Sequence, residues 1–221
     1  MSALPLIAAL ASQPAQAQAI DIGVIKNSDM KVVQKLLYPK QGSTEIGGHF
    51  GLMPFDPFTI TPKIEGSYGM HLSELLSWHV TAGAGYGLKN GSYRRLEGPA
   101  YGITPDAYRY LGSISADAQY APVYAKLSWG GGQVYHHDIY GLAGATLTIE
   151  QAFMPDNDMA FSPGLSLGAG ARVFLGDGKA LRIQLRDDIM FQARDKTAES
   201  QSAYFQQNAT LSVGYVVMKA K

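Results

Sequence analysis

The chain has 221 residues, no cysteine, and 18 basic against 18 acidic residues. The absence of cysteine excludes disulfide bonds, thiolate catalysis and thiolate metal sites. A formal net charge of zero argues against nucleic-acid binding, which needs a basic surface. No uninterrupted apolar run of about 20 residues could form a transmembrane helix. The length therefore fits one domain of ordinary size or one larger all-β domain.

The first predicted element is a secretory signal peptide over residues 1–19. An apolar segment precedes small residues in an Ala-Gln-Ala pattern, which predicts cleavage after Ala17 or Ala19. The usual basic residues before the apolar segment are missing, because the first basic residue is Lys26. A disordered Ala/Gln-rich tail is the alternative. We predict export, followed by a periplasmic N-terminal segment at 20–42.

From residue 43 to 221 the chain repeats one pattern, in which apolar and polar side chains alternate. Alternation with a period of two residues predicts β-strands, because successive side chains of a strand point to opposite faces. A helix-capable segment at 27–40 precedes this region. We predict eight strands, at residues 44–53, 59–71, 77–88, 112–120, 134–150, 164–174, 180–192 and 204–217.

The pattern is clearest in the segment ALRIQLRDDIM at 180–190, where three aliphatic side chains alternate with two arginines and a glutamine. On a helix, Ile183 would leave the face that holds Leu181 and Leu185. On a strand, all three aliphatic side chains share one face and the charged side chains share the other. The segment therefore predicts a strand with one apolar and one polar face.

Alternation alone does not say which face is buried. A soluble barrel hides its apolar face, whereas a membrane barrel turns that face to lipid. Export favours the membrane barrel, and so do strands of about ten residues, the length that crosses a bilayer at a tilt. We therefore predict an all-β fold, an eight-stranded antiparallel transmembrane β-barrel in the outer membrane, with a short N-terminal periplasmic segment.

The predicted polar faces carry charges of both signs together with glycines. The interior of an eight-stranded barrel is filled by side chains, and buried charges are tolerated only when they are paired. Glycines leave room for long side chains on the facing wall. We therefore predict a polar network inside the barrel, formed by Glu45, Lys63, Glu65, Arg172, Arg182, Gln184, Arg186 and Asp188.

No residue pattern indicates catalysis, a cofactor or a metal. The five histidines fall in no recognisable hydrolase motif, and no G-x-S-x-G occurs. His136 and His137 are adjacent strand residues that point to opposite faces, so they cannot easily share one metal. Arg94 and Arg95, in a long connection, could bind a partner or a lipopolysaccharide phosphate, although a solvated charge cluster is the simpler interpretation.

Four segments resemble a family of outer-membrane β-barrel domain proteins that is found chiefly in myxobacteria and their relatives. They are VVQKLLYPKQGSTEIGGHFG (32–51), QYAPVYAKLSW (119–129), HHDIYGLAGA (136–145) and LGAGARVFLGDGKALRIQLRD (167–187). The resemblance implies a small outer-membrane barrel, and some members of the family belong to the gliding-motility machinery. This chain ends GYVVMKAK and lacks the terminal Phe of many outer-membrane barrels.

The residues and the resemblance together predict a non-enzymatic barrel that acts as an anchor or docking component of a multiprotein envelope complex, with gliding motility as the implied process. The expected partners are outer-membrane lipid, lipopolysaccharide and other envelope proteins, without nucleic acid. Three alternatives stay open: a barrel enzyme that acts on envelope lipid, a small pore, and a soluble lipocalin-like carrier.

Overall fold

The computed structural model describes residues 38–105, 107–129, 133–153, 159–193 and 203–219. The predicted signal peptide lies outside these residues, and so does the N-terminal segment up to residue 37, which includes nearly all of the predicted helix at 27–40. In the described part of the chain, no helix is long and apolar enough to span a bilayer.

The described residues form a closed antiparallel barrel of eight strands, with one two-residue strand and one short helix outside it. Strands β1–β3 and β5–β9 pair in chain order, and β9 pairs back with β1. The strand β4 pairs only with β2, beside the barrel. The elements are β1 (Thr44–Met53), β2 (Thr59–His71), β3 (Leu76–Gly85), β4 (Leu88–Lys89), α1 (Gly91–Glu97), β5 (Tyr108–Trp129), β6 (Gln133–Ala152), β7 (Met159–Gly176), β8 (Lys179–Ala193) and β9 (Ala203–Lys219). The predicted fold class is confirmed.

The strand that differs most from its prediction is β5, which runs from Tyr108 to Trp129 instead of 112–120. Pro122 obscures the pattern, because proline has no N–H to donate to a neighbouring strand. A register shift between Tyr120 and Val123 accommodates it, in the manner of a β-bulge. The helix α1 was not predicted; Asn90 caps it by accepting a hydrogen bond from the backbone N–H of Tyr93 at 3.0 Å.

The two ends of the barrel differ in their connections. The end at which β1 begins and β9 ends also carries the turns 72–75 and 177–178, and we call it the turn end. Asp177 and Gly178 both have positive φ, 50° and 70°, which suits a two-residue hairpin because such a turn matches the twist of the strands. The opposite end, the loop end, carries the long connection 86–107 with β4 and α1.

The outer surface of the barrel is apolar and its interior is polar. Large apolar side chains on the exterior are well exposed, for example Ile46 at 62%, Ile64 at 66% and Phe205 at 61%. This distribution is that of a transmembrane barrel. A soluble carrier would show the reverse, so the soluble lipocalin-like alternative is wrong.

Candidate functional site

The structure places all eight side chains of the predicted polar network inside the barrel, each less than 10% exposed. They do not form one cluster. Glu45, Arg172, Arg182 and Gln184 meet in the turn-end half of the barrel, and a chain of hydrogen bonds links them to Arg186. The remaining three, Lys63, Glu65 and Asp188, make separate contacts.

The carboxylate of Glu45 is the centre of the turn-end cluster. Its Oε1 lies 3.0 Å from Nη1 of Arg182, and its Oε2 lies 3.4 Å from Nη1 of Arg172. His71 places Nε2 3.1 Å from Oε2. Since β7 and β8 do not pair with β1, the two arginines reach across the bore to the carboxylate. The arrangement compensates charges of both signs in a site that water barely reaches.

A second carboxylate, Asp138 on β6, extends this cluster to the mouth of the turn end. Its Oδ2 lies 2.7 Å from Nζ of Lys40 and 3.6 Å from Nη1 of Arg172. Lys40 precedes β1 and is buried, so the segment before the first strand folds into the opening. Tyr38 stacks on Phe174 there, with ring centroids 5.2 Å apart. The turn end is therefore covered by the chain itself.

Tyr140 of β6 is an aromatic side chain on the polar, inward face of its strand. It shares the inward phase of His136 and Asp138, and its side chain is 1% exposed inside the barrel. Its hydroxyl accepts a hydrogen bond from Nε of Arg182 at 2.6 Å and donates one to Gln184 at 3.0 Å. Its ring lies beneath the guanidinium groups of Arg172 and Arg182. The aromatic ring on the polar face thus stabilises the two guanidinium groups through cation–π contacts.

Arg186 forms the second cross-bore pair, with Asp117 of β5. Nη2 of Arg186 lies 2.5 Å from Oδ1 of Asp117, and Nη1 donates to Ser115 at 2.6 Å. Gln119 donates to the other oxygen of Asp117 and accepts from Arg172. These bonds connect the two arginine clusters. The sequence analysis missed four interior residues, Asp117, Gln119, Asp138 and Tyr140. For the two on β5, the inward phase was readable from the alternation with Ala116 and Ala118.

The loop-end half of the interior contains contacts between two or three side chains instead of a large cluster. Nζ of Lys63 lies 2.9 Å from Oε1 of Glu65 and 5.3 Å from the ring centroid of Tyr110. Asp188 accepts a hydrogen bond from Ser166 at 2.5 Å. Polar side chains therefore line the bore from end to end, with the arginines concentrated toward the turn end.

Two interior glycines leave room for imidazole rings. A Cβ atom on Gly214 would collide with the ring of His49, and a Cβ atom on Gly69 would collide with the ring of His79. His49 in turn lies 2.8 Å from the hydroxyl of Ser67. Glycine is required here by close packing, because a methyl group would displace the ring from a closely packed interior.

One set of interior residues has the composition of a metal site. Ligand atoms of Glu45, His71 and His79 lie within 4.8 Å of one another. Two guanidinium groups already contact both oxygens of Glu45, so a metal cation would have to displace them against like-charge repulsion. The arrangement is better suited to compensating arginines than to holding a metal.

The same region brings a serine, a histidine and an acid together. Nε2 of His79 lies 3.1 Å from the hydroxyl of Ser77, and its Nδ1 lies 4.0 Å from Oε1 of Glu45. All three side chains are buried inside the barrel. An enzyme that acts on envelope lipid would need such a set at a rim that lipid can reach, and this set is enclosed.

Arg94 and Arg95 lie apart from the interior, in the last turn of α1. Both are exposed. Within the residues that the structure describes, neither forms an ion pair with a carboxylate. The structure therefore presents them to solvent at the loop end.

Comparison with solved structures shows the same architecture. The N-terminal β-barrel domain of OprF from Pseudomonas aeruginosa matches with a TM-score of 0.51 at 13% identity, over 81% of this chain and 98% of that domain. The outer membrane protein OprG from Pseudomonas aeruginosa matches with a TM-score of 0.50 at 13% identity, over 83% of this chain and 98% of that one. Identities this low show the fold alone.

No family profile matches the chain, and no curated protein matches it. The closed eight-stranded barrel with an apolar exterior and a polar interior nevertheless defines its class. The chain is an outer-membrane β-barrel.

Proposed function

We propose that the chain is a non-enzymatic barrel that anchors other envelope proteins at the outer membrane. The observation that carries the proposal is the pair of ion-pair clusters that cross the bore, Arg172 and Arg182 with Glu45, and Arg186 with Asp117. These side chains join strands that do not neighbour each other in the wall, and such links should stiffen the barrel. A rigid scaffold with loops at one end is a common basis for binding.

The crossing pairs also argue against the small-pore alternative. The guanidinium groups of β7 and β8 occupy the bore where an ion would have to pass, and they are held there by carboxylates from β1 and β5. The chain itself covers the turn end with Tyr38 and Lys40. Conduction would require these buried contacts to open, and each broken pair would cost about 3–5 kcal/mol.

Two parts of the chain are proposed to contact partner proteins. One is α1 at the loop end, whose exposed Arg94 and Arg95 have no carboxylate partner in the described part of the chain. The other is the predicted N-terminal segment at 20–42, which joins the barrel where Lys40 enters the turn end. Gliding motility as the process served stays a prediction from the family resemblance.

The proposal is tested by affinity purification of the tagged full chain from detergent-solubilised outer membranes, with mass spectrometry of the proteins that co-elute. We expect a reproducible set of envelope proteins, which is lost when Arg94→Gln and Arg95→Gln are combined or when segment 20–36 is replaced by a Gly/Ser linker. Lys126→Gln, which removes one exposed charge at the turn end, is the matched control. Recovery of the barrel alone under gentle detergent conditions would refute a stable anchoring role.

A further inference from the structure

Arg109, at the loop end of β5, is held by aromatic rings. Its guanidinium carbon lies 4.3 Å from the ring centroid of Tyr86 and 4.7 Å from that of Phe153. Its Nε is buried and makes no hydrogen bond, and no carboxylate among the described residues pairs with it. Two aromatic rings therefore hold the guanidinium group, and the described residues leave its charge without a counter-ion.

Lys89 brings a second cation to the same aromatic cluster. Its Nζ lies 4.3 Å from the ring centroid of Tyr93 and 5.4 Å from that of Phe153. Because Phe153 is shared, the charges of Lys89 and Arg109 are at most about 10 Å apart, the sum of their distances to that ring. Glu97 lies 2.8 Å from Nζ of Lys89, and this hydrogen bond raises the pKa of Lys89, so the ammonium group stays charged.

The surrounding connection is basic. Residues 86–109 contain Lys89, Arg94, Arg95 and Arg109 against Glu97 and Asp106, a net charge of +2 in a chain whose total is zero. The other connections at this end offset that charge, since 54–58 contains Asp56 and 153–158 contains Asp156 and Asp158. The attraction for an anion is therefore local, at the two cations beside the ring of Phe153.

The same connection exposes apolar side chains next to the cations. Tyr86, Leu88, Tyr101 and Ile103 are each at least half exposed, although they lie outside the barrel wall. Exposed apolar and aromatic side chains beside basic ones are typical of segments that lie at the boundary between acyl chains and headgroups. The ligand that fits this surface carries a phosphate and an acyl chain together.

We infer that Arg109 and Lys89, framed by Tyr86 and Phe153, bind the phosphate group of a lipid headgroup in the leaflet that surrounds the loop end. The guanidinium group supplies paired N–H donors in the geometry that a phosphate accepts. The neighbouring ammonium group adds a second charge. The half-exposed ring of Tyr86 continues the site toward the apolar exterior, where the acyl chains pack.

The test uses the folded full chain in detergent and native mass spectrometry to measure binding of bisphosphorylated lipid A. Dephosphorylated lipid A and inorganic phosphate are the comparison probes. We expect lipid A to bind the wild-type chain, and we expect Arg109→Gln and Lys89→Gln each to weaken that binding about ten-fold. The matched control Lys126→Gln should leave the affinity unchanged.

Three outcomes would overturn the inference. Arg109→Gln could bind lipid A as the wild type does, the dephosphorylated lipid could bind equally well, or inorganic phosphate alone could compete at equal concentration. Arg109→Lys, which keeps the charge but loses the planar donor pair, should retain more affinity than Arg109→Gln. If Arg109→Gln fails to fold, Arg109→Lys and Lys89→Gln provide the test. These variants leave Arg94 and Arg95 intact, so failure here is separable from failure of the anchoring proposal.

Discussion

Arg172 of β7 and Glu45 of β1 meet inside the barrel, with Nη1 3.4 Å from Oε2, although β8 and β9 lie between their strands along the wall. Both side chains are no more than 1% exposed. Arg182 contacts the other oxygen of the same carboxylate. One acid therefore compensates two arginines, and the three side chains link strands that do not neighbour each other in the wall.

Glu45→Gln should destabilise the barrel by about 3–5 kcal/mol, because two buried guanidinium groups would lose their shared counter-ion. The free energy of unfolding is measured by urea titration in lipid vesicles, with tryptophan fluorescence as the signal. Glu97→Gln is the matched control, since it removes an exposed carboxylate that pairs with Lys89. The control should cost no more than about 1 kcal/mol. Equal effects of the two substitutions would contradict the role assigned to Glu45.

Removal of one crossing pair leaves no buried charge alone, but the cluster around Glu45 and the contact of Lys40 with Asp138 at the turn end remain. We therefore expect the double variant Asp117→Ala with Arg186→Ala, which removes two side chains whose charged groups meet at 2.5 Å across the bore, to pass no ions in planar bilayers. The wild-type chain should show no sustained stepwise conductance. A wild-type chain that conducts steadily would restore the small-pore interpretation.

Gly214→Ala should destabilise the barrel by about 1–3 kcal/mol, because the added methyl group occupies the position of the His49 ring. Gly48→Ala is the control: it lies on the exterior of β1, and an added Cβ atom there has nothing within 4 Å. That control should change the free energy of unfolding by no more than about 0.5 kcal/mol. Similar unfolding curves for the two variants would show that His49 can move aside at little cost.

The sequence predicted the barrel because strand alternation is a local property. The bounds of β1 and β2 matched their predictions, and each predicted interior side chain fell on the buried face because one strand fixes its own two faces. Pairing across the bore was not predictable in the same way. Whether Arg182 meets Glu45 or Asp117 depends on the register of several strands and on how far each is staggered around the barrel.

The missed residues have the same explanation. Nothing in its own strand explains an aromatic ring at Tyr140 on the polar face; the explanation is its contact with two arginines from β7 and β8. The contacts of Arg109 were not predictable for a similar reason. Its two stacking partners, Tyr86 and Phe153, come from separate connections of the chain, and only the closed barrel brings them together.

Asp187 is an acidic residue on the apolar outer surface of β8. Its cross-strand neighbours are Leu167 and Ala209, it follows Leu185 on the same face, and its Oδ1 is buried without a hydrogen bond. A carboxyl group on a lipid-facing surface is unfavourable. Asp187→Leu should therefore stabilise the barrel by about 1–2 kcal/mol in the same urea titration.

Asp187→Asn serves as the control, because it removes the charge but keeps a polar group of the same size. It should give a smaller gain than leucine, since the amide still lacks hydrogen-bond partners on the outer face. A loss of stability in the leucine variant would mean that the carboxyl group has a partner in the membrane. In that case the variant should also change which proteins co-purify with the chain, and the β8 surface would join α1 as a contact of the anchoring assembly.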